Sequence, residues 1–297
     1  MGSRRCSGWI VIAVGLMLVI VAVAVLIGLH LTSGQGPQPT ATVPAPPVAA
    51  PPADQSPTAP TDLKSSFTDL AATLNGSVGV SYVAVGSTEP AVQLGGWSSG
   101  PAWSTAKVPL AIAALRAQDK PDATAPMTAA ITESDNAAAD TLWAGLGTPD
   151  QAAGKIDAVL RETGDPTVVE SKKIRPEYSA FGQTDWSLTN QVRFLAAAAC
   201  DARDAPVFDL MGQIGSDQRW GLGTVAGTRF KGGWGPSKTG AYLVRQIGIM
   251  HTDRGDIAVA IAAQPNSGSF RDGTTALTAL SSWLQSHIAE LPAGTCR

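Results

Sequence analysis

Hydrophobic and polar residues divide the chain into three unlike parts. Residues 8–29 form an uncharged, almost wholly apolar run (GWIVIAVGLMLVIVAVAVLIGL). Because about 20 such residues are needed to cross a bilayer as a helix, the run predicts a transmembrane anchor over residues 8–31. Arg4 and Arg5 precede it, so we expect residues 1–7 to be a cytoplasmic tail. A cleaved signal peptide is the alternative, but its apolar region would be shorter and end at a small-x-small site.

A segment rich in proline, alanine, threonine and glutamine follows over residues 32–61. Such a composition cannot build a core, and it favours extended polyproline geometry at about 3.1 Å per residue. We therefore expect a semi-rigid stalk that holds one domain, residues 62–297, away from the membrane. The predicted location is the cell membrane, crossed once, with the domain extracytoplasmic.

Within residues 62–297 the pattern changes from strands to helices and back. Alternating apolar residues near both ends predict β-strands, and helical periodicity predicts the elements between them. This order indicates an α+β domain whose antiparallel sheet is built from both chain ends. The predicted strands are Val78–Val85, Ala91–Trp97, Val225–Trp234, Tyr242–Thr252 and Asp256–Ala263, and the predicted helices are Leu63–Leu74, 102–118, Pro149–Glu162, Ser187–Cys200, Pro206–Ile214 and Asp272–Ile288.

Charge and cysteine content narrow the possible partners. The formal net charge of -3 is too small to suggest nucleic acid or another strongly charged partner. No cysteine and histidine spacing matches a metal site, and we expect no cofactor. Cys200 and Cys296 lie in the exported part, where both a disulfide between them and two free thiols remain open.

Two short polar motifs carry the candidate chemistry. Ser104 lies at the start of a predicted helix and Lys107 three residues later, so their side chains share one face. Free N–H groups and the positive dipole end at such a helix start lie where an oxyanion would develop. Ser134, followed by Asp135 and Asn136, comes between later helical stretches. A capped helix start with a solvated lysine, and a polar turn, are the simpler alternatives for each motif alone.

In this order the motifs resemble those of the class A β-lactamase and penicillin-binding family. AWSTAKVPL looks like the nucleophile helix, AAITESDNAAADTL looks like the Ser-Asp-Asn segment, and the resemblance covers about residues 63–288. It implies a β-lactamase-like fold, with Ser104 as acylating nucleophile, Lys107 as its base and Ser134 as proton relay to the departing nitrogen. It also implies that Asn136 holds the substrate amide and Lys107, while Asp135 braces the loop.

The third motif of the family, Lys-Thr-Gly on the strand lining the site, has two candidates. Lys238-Thr239-Gly240 matches it literally but follows the turn signal Gly235-Pro236-Ser237. Lys231-Gly232-Gly233 has the register of the family's strand, and we favour it. Gly233 then ends the motif, and Gly232 stands where the family has a hydroxyl side chain.

This choice implies further contacts with a substrate. Lys231 would supply positive charge for a substrate carboxylate. The N–H of Trp234 would pair with the N–H of Ser104 as the oxyanion hole. Arg245 on the next strand looks like a second anion contact, although a solvated strand arginine is an equal alternative.

The sequence departs from the family in two respects. Only 30 residue steps separate Ser104 from Ser134, far fewer than in class A enzymes, so the helical subdomain beside the cleft is expected to be reduced. The deacylating glutamate of the Glu-x-x-Leu-Asn loop has no match. Glu170 and Glu177 are the glutamates between Gly164 and Trp186, and solvated loop carboxylates are their simpler interpretation.

The resemblance therefore implies a membrane-tethered serine acyl-hydrolase that acts on a β-lactam or a D-Ala-D-Ala-like cell-wall peptide. Without the deacylating base, the acyl-serine is expected to clear slowly. The alternative is a non-catalytic module of the same fold that binds peptidoglycan or a partner protein. The altered third motif, the missing glutamate and the short helical block favour that alternative, and acylation of Ser104 separates the two.

Overall fold

A computed structural model describes residues 61–119 and 121–296 of this chain. The predicted tail and anchor (residues 1–7 and 8–31), and the predicted stalk as far as residue 60, lie outside the described residues and stay predictions. Within the described ranges, no helix combines the length and apolar character needed to cross a membrane.

The described residues fold into helices and strands that follow the predicted order. A short π-helical turn, Ala129–Glu133, and several 3-10 turns connect them. The strands are β1 Gly76–Ala84, β2 Val92–Gly95, β3 Arg229–Pro236, β4 Tyr242–Thr252 and β5 Gly255–Pro265, and the helices are α1 Thr61–Thr73, α2 Lys107–Arg116, α3 Ala125–Thr128, α4 Asn136–Gly145, α5 Pro149–Glu162, α6 Leu188–Ala198, α7 Ala205–Met211 and α8 Phe270–Ser286.

The five strands form one antiparallel sheet in the order β2-β1-β5-β4-β3. Its first two strands come from the beginning of the domain and the other three from its end, which confirms the α+β prediction. β3 lies at one edge of the sheet and pairs only with β4 among the described strands. This edge position leaves β3 available to line a site.

Strand β5 forms the centre of the core, with every residue from Ile257 to Ala263 inaccessible to solvent. Three of its four alanines, Ala258, Ala260 and Ala262, alternate with Ile257, Val259 and Ile261. Ala262 pairs with Arg245, whose side chain contacts helix α6, so the alanine face lies under α6. The small side chains let that helix pack close to the sheet.

Two element boundaries differ from the predictions for local reasons. The third strand begins at Arg229 rather than Val225, because the chain turns at Gly227, which has a φ of 75°. The predicted helix over residues 102–118 begins as a 3-10 turn, Trp103–Ala106, and becomes α-helical at Lys107. Pro109 therefore lies in the first turn of α2, where its missing N–H breaks no helical hydrogen bond.

Cys200 and Cys296 form a disulfide, the first of the two alternatives that their sequence left open. It joins the C-terminal segment to the chain just after α6, and an isolated bridge between Asp256 and Gly294 holds the same segment against β5. The bond closes a loop of 96 residues. A loop of this size stabilises the fold by roughly 4 to 5 kcal/mol in chain-entropy terms.

Candidate active site

Ser104 lies on the 3-10 turn that precedes α2, at the wall of a cleft of about 300 Å³. The residue before it, Trp103, has a φ of 49°, the left-handed region that side chains other than glycine rarely occupy. Such a backbone persists only where its surroundings fix it, and it is frequent at functional sites. Here the strained turn directs Ser104 into the cleft while Trp103 stays buried.

Lys107 is the first residue of α2, and its side chain is buried. Its Nζ donates to the backbone oxygen of Ser134 at 2.6 Å and to Oδ1 of Asn136 at 2.8 Å, and it lies 3.4 Å from Ser134 Oγ. Burial lowers the pKa of Lys107 to about 8, although the charges of Asp135 and Asp140 oppose the change. With this pKa, about one tenth of the amine is neutral at about pH 7.

Ser134 ends the π-helical turn Ala129–Glu133 and has left-handed backbone angles, with φ 57° and ψ 29°. Asp135 then caps helix α4, because its carboxylate accepts a hydrogen bond of 2.6 Å from the N–H of Ala138. Asp135 thus braces the loop, as the resemblance implies. The turn and the cap together hold the Ser134 hydroxyl toward the lysines.

Lys231, in the middle of β3, completes this arrangement. Its side chain is fully buried, and its Nζ donates to Ser134 Oγ at 2.8 Å and to the backbone oxygen of Gly232 at 3.0 Å. Burial, and next the charge of Lys107, lower the pKa of Lys231. The structure places Lys231 at the site, whereas Lys238 lies exposed in the turn after β3.

Glycines let β3 approach the 3-10 turn Trp103–Ala106, which carries Ser104; this turn is called the nucleophile turn below, after the role that the resemblance implies for Ser104. A Cβ atom at Gly233 would lie 2.9 Å from the backbone N of Ser104 and 2.8 Å from the backbone N of Thr105. Both obstacles are backbone atoms, which cannot move aside like a flexible side chain. Gly233 therefore permits the contact that brings the next residue, Trp234, to the same cleft as Ser104.

Helix α4 contributes two polar side chains to the cleft. Asn136, its first residue, faces Lys107, as the resemblance implies, and Asp140 follows one turn later on the same side. Sequence reasoning missed Asp140. The spacing of four residues after Asn136 was the signal that could have found it.

The structure corrects the interpretation of Arg245 as an anion contact. Its side chain faces the same side of the sheet as Gly233, its partner in the register, but it is fully buried beneath the nucleophile turn. The guanidinium donates to the backbone oxygens of Gly100, Pro101 and Trp186 and to Oε1 of Gln191, at 2.6–3.0 Å. Arg245 therefore holds the surrounding backbone together and does not bind a substrate anion. The alternative of a solvent-exposed strand arginine is wrong as well, because the side chain is buried.

The arginine is the start of a chain of hydrogen bonds that reaches the nucleophile turn. Gln191, which accepts from Arg245, donates through Nε2 to Oγ1 of Thr105 at 3.0 Å. Thr105 donates in turn to the backbone oxygen of Ala102 at 2.6 Å. These hydrogen bonds therefore hold both Ala102 and Thr105, on either side of Ser104, in place.

Residues 165–186 form a loop that supplies the wall opposite the motifs. Asp165 ties the two ends of the loop, because its carboxylate accepts from the N–H of Thr167 at 2.9 Å and from Nε1 of Trp186 at 2.7 Å. Burial raises the pKa of Asp165, while these hydrogen bonds lower it. The loop brings further side chains to the cleft, namely Lys173, Glu177, Tyr178 and Ser179.

The two glutamates of this loop are engaged elsewhere. Glu177 lines the cleft, but its Oε1 accepts from Nε of Arg175 at 3.2 Å. Glu170 accepts from the backbone N–H of Lys172 at 2.7 Å. Within the described part of the chain, no carboxylate is hydrogen-bonded to Lys107 or Ser104. No cluster of residues that could hold a metal ion occurs there either.

Comparison with known proteins identifies the fold. No protein-family model matches this sequence, and neither does any curated protein. Solved structures do match, at TM-scores of 0.59 to 0.60: a class A β-lactamase from Mycobacterium abscessus (15% identity, covering 76% of this chain and 99% of that chain, TM-score 0.60), a β-lactamase from Streptosporangium roseum (17%, 78% and 100%, TM-score 0.59) and an ancestral class A β-lactamase (18%, 75% and 99%, TM-score 0.59).

The chain therefore has a class A β-lactamase-like fold. It spans nearly the whole length of these solved structures. Between Arg116 and Ser134, where a reduced helical subdomain was expected, the helical elements are α3 and the π-helical turn. At 15 to 19% identity the likeness shows the fold alone. What the site does has to be argued from its own residues.

Proposed function

We propose that this protein is a serine acyl-hydrolase that forms an acyl-serine on Ser104 with a β-lactam or a D-Ala-D-Ala-like peptide. The observation that carries the proposal is the Ser134 hydroxyl, which lies beside two buried lysines, Lys107 and Lys231. Buried lysines with lowered pKa values serve as bases, whereas structural lysines extend into water. Two buried ammonium groups side by side are costly to the fold, which favours a catalytic role for them.

The first step of the proposed reaction is attack by Ser104 on the carbonyl carbon of an amide. Neutral Lys107 takes the hydroxyl proton as the new oxygen–carbon bond forms. The proton passes from Lys107 through the Ser134 hydroxyl to the nitrogen as the carbon–nitrogen bond breaks. Lys231 donates a hydrogen bond to Ser134 Oγ and orients that hydroxyl for the relay.

The negative charge on the carbonyl oxygen needs donors during this attack. The N–H groups of Ser104 and Trp234 are the candidates, because Gly233 brings the two backbones together. Two fixed N–H groups in a cleft stabilise a tetrahedral intermediate without reorganisation. Asn136, which faces the cleft, would hold the substrate amide.

The second step, hydrolysis of the acyl-serine, lacks a dedicated base. Within the described residues, the carboxylates of Glu170 and Glu177 are bound to Lys172 and Arg175 and do not reach Lys107. We therefore propose that the acyl-enzyme is long-lived, so that the protein behaves as a penicillin-binding protein. The predicted anchor at residues 8–31 and the stalk would hold it on the extracytoplasmic side of the cell membrane, near cell-wall peptides.

A fluorescent penicillin is expected to label the purified protein covalently. The Ser104→Ala variant, which keeps the turn and loses only the hydroxyl, should not be labelled. Labelling that survives in the variant would place the reaction elsewhere. A complete lack of labelling, also with activated ester probes, would favour the non-catalytic binding module.

The rate of acylation is expected to rise with pH through the pKa of Lys107, about 8. Only the neutral amine can accept the serine proton, and its fraction grows about 50-fold between about pH 6 and about pH 8 for a group with this pKa. Above this range the rate should level off. Single-turnover labelling rates, corrected for hydrolysis of the probe, measure the profile. A rate independent of pH would exclude a titrating lysine base.

A further inference from the structure

An indole ring covers the position where the resemblance places a substrate-binding hydroxyl. A Cβ atom at Gly232 would lie 3.2 Å from Cη2 and 3.4 Å from Cζ2 of Trp220. Contacts this short require the neighbouring ring to give way by a few tenths of an ångström. The glycine is therefore explained by packing, since Trp220 takes the space of a side chain at position 232.

Trp220 belongs to an aromatic cluster made of Trp220, Trp234, Tyr242 and Phe270. The ring centroids of contacting pairs are 5.5–5.9 Å apart. All four side chains are partly exposed, and Trp234 and Tyr242 also line the cleft with Ser104. The aromatic cluster is thus continuous with the catalytic cleft, at the edge of β3 next to Lys231.

Lys231 of β3 and Arg245 of β4 are not presented to a ligand at this edge. Lys231 is fully buried and donates to Ser134 Oγ and to the Gly232 oxygen, while Arg245 donates to four oxygens of the scaffold. The ionisable side chains that line the cleft are two carboxylates, Asp140 and Glu177, and one ammonium, Lys173. These lining side chains supply one ammonium against two carboxylates, so they do not by themselves favour an anion.

From the aromatic cluster, the glycine beneath it and this charge balance, we infer that the substrate presents an uncharged, ring-bearing group at the β3 edge, and not a carboxylate. The inference rests on the proposed acylation of Ser104 and narrows its substrates. A ring on the substrate gains binding free energy when it packs on partly exposed aromatic side chains. A carboxylate would lose water at this edge without finding a hydroxyl side chain at position 232 or a cation free of scaffold hydrogen bonds. The preferred acyl donors are therefore amides or esters in which this carboxylate is absent or masked, while penicillins and D-Ala-D-Ala-like peptides with a free carboxylate react no faster.

Benzylpenicillin and its methyl ester test the inference, because they share the reactive ring and differ in one charge. The full-length protein in detergent is mixed with each reagent, and acylation of Ser104 is followed by intact mass. We expect the methyl ester to react at least as fast as the free acid. The inference is overturned if the free acid reacts about 10-fold faster, which is what one hydrogen bond to a charged group contributes. If neither reagent nor an activated ester acylates Ser104, the proposed function fails instead.

The methyl ester and the free acid differ in intrinsic reactivity, and this difference cancels when their rate ratio is compared between a double variant and the wild type. In Trp220→Ala/Gly232→Ser the ring is removed and a hydroxyl is restored, so the rate ratio of methyl ester to free acid should fall about 10-fold or more relative to the wild type. Trp220→Phe, which keeps a ring, should retain the wild-type ratio. An unchanged ratio in a double variant that melts as a folded protein would contradict the inference.

Discussion

Replacement of Lys107 with methionine is expected to slow acylation of Ser104 by about 1,000-fold, within the range of 100- to 10,000-fold that general bases contribute. Methionine keeps the buried aliphatic part of the side chain and removes the Lys107 amine, the proposed base three residues after Ser104. Ser104 then has to lose its proton to water. The pseudo-first-order rate of labelling by a penicillin, compared with the wild type, measures the loss.

Two controls separate lost chemistry from lost structure. Lys107→Met also removes the donor to Ser134 and Asn136, so its melting temperature has to be compared with that of the wild type. Lys107→Arg keeps a positive charge and donors but cannot release a proton, because the arginine pKa is far above neutral. We expect both variants to be slow. A folded Lys107→Arg or Lys107→Met protein that labels within about 10-fold of the wild type would contradict the assignment of the base.

Replacement of Arg245 with methionine is expected to destabilise the fold by roughly 3 to 5 kcal/mol, as when one partner of a buried charged contact is removed. Two effects oppose each other. Burial lowers the pKa of Arg245 to about 9, so the removal of a buried cation is itself favourable. However, the four oxygens that accept from the guanidinium then lose their donor, at about 1 to 3 kcal/mol each. The second effect is larger.

Thermal unfolding measures this change, with an expected fall in melting temperature of roughly 10 °C for a domain of this size. Arg245→Lys is the matched variant, since an ammonium keeps the charge but cannot span four acceptors in the fixed geometry of a guanidinium. We expect it to fall between the wild type and Arg245→Met. An Arg245→Met protein as stable as the wild type would show that the hydrogen bonds beneath the nucleophile turn are dispensable.

The local geometry of the candidate site could be predicted from sequence because it lies in short motifs. Ser104 and Lys107 share one helical turn, and the capping preference of Asp135 fixes the start of α4. The choice of Lys231 over Lys238 depended on the turn signal between them, and the structure places Lys231 at Ser134. These are short-range relations that spacing and turn chemistry determine.

The remaining features depend on contacts between distant parts of the chain. Strand alternation puts Arg245 on the same face as Gly233, but it does not tell that Gly100, Trp186 and Gln191 surround the guanidinium. In the same way, nothing near position 232 indicates that Trp220 covers it. For the same reason the sequence did not decide between a disulfide and two free thiols, because the cysteines are 96 residues apart.

Among the described residues no carboxylate is hydrogen-bonded to Lys107, and under the proposed function this has a consequence for resistance. An enzyme that acylates quickly and deacylates slowly removes at most one β-lactam molecule for each protein molecule. Expression of this chain should therefore confer little protection against penicillin, even if Ser104 reacts. The lifetime of the acyl-serine distinguishes this behaviour from that of a turnover enzyme.

Intact-mass spectrometry of the purified protein after brief incubation with an acyl donor tests the central claim most directly. Benzylpenicillin methyl ester, the free acid and an activated ester are compared, with Ser104→Ala in parallel. We predict a mass increase of one acyl group that persists after the reagent is removed and that is absent from the Ser104→Ala protein. An unmodified wild-type mass with every donor, or the same adduct on Ser104→Ala, would contradict Ser104 as an acylating nucleophile.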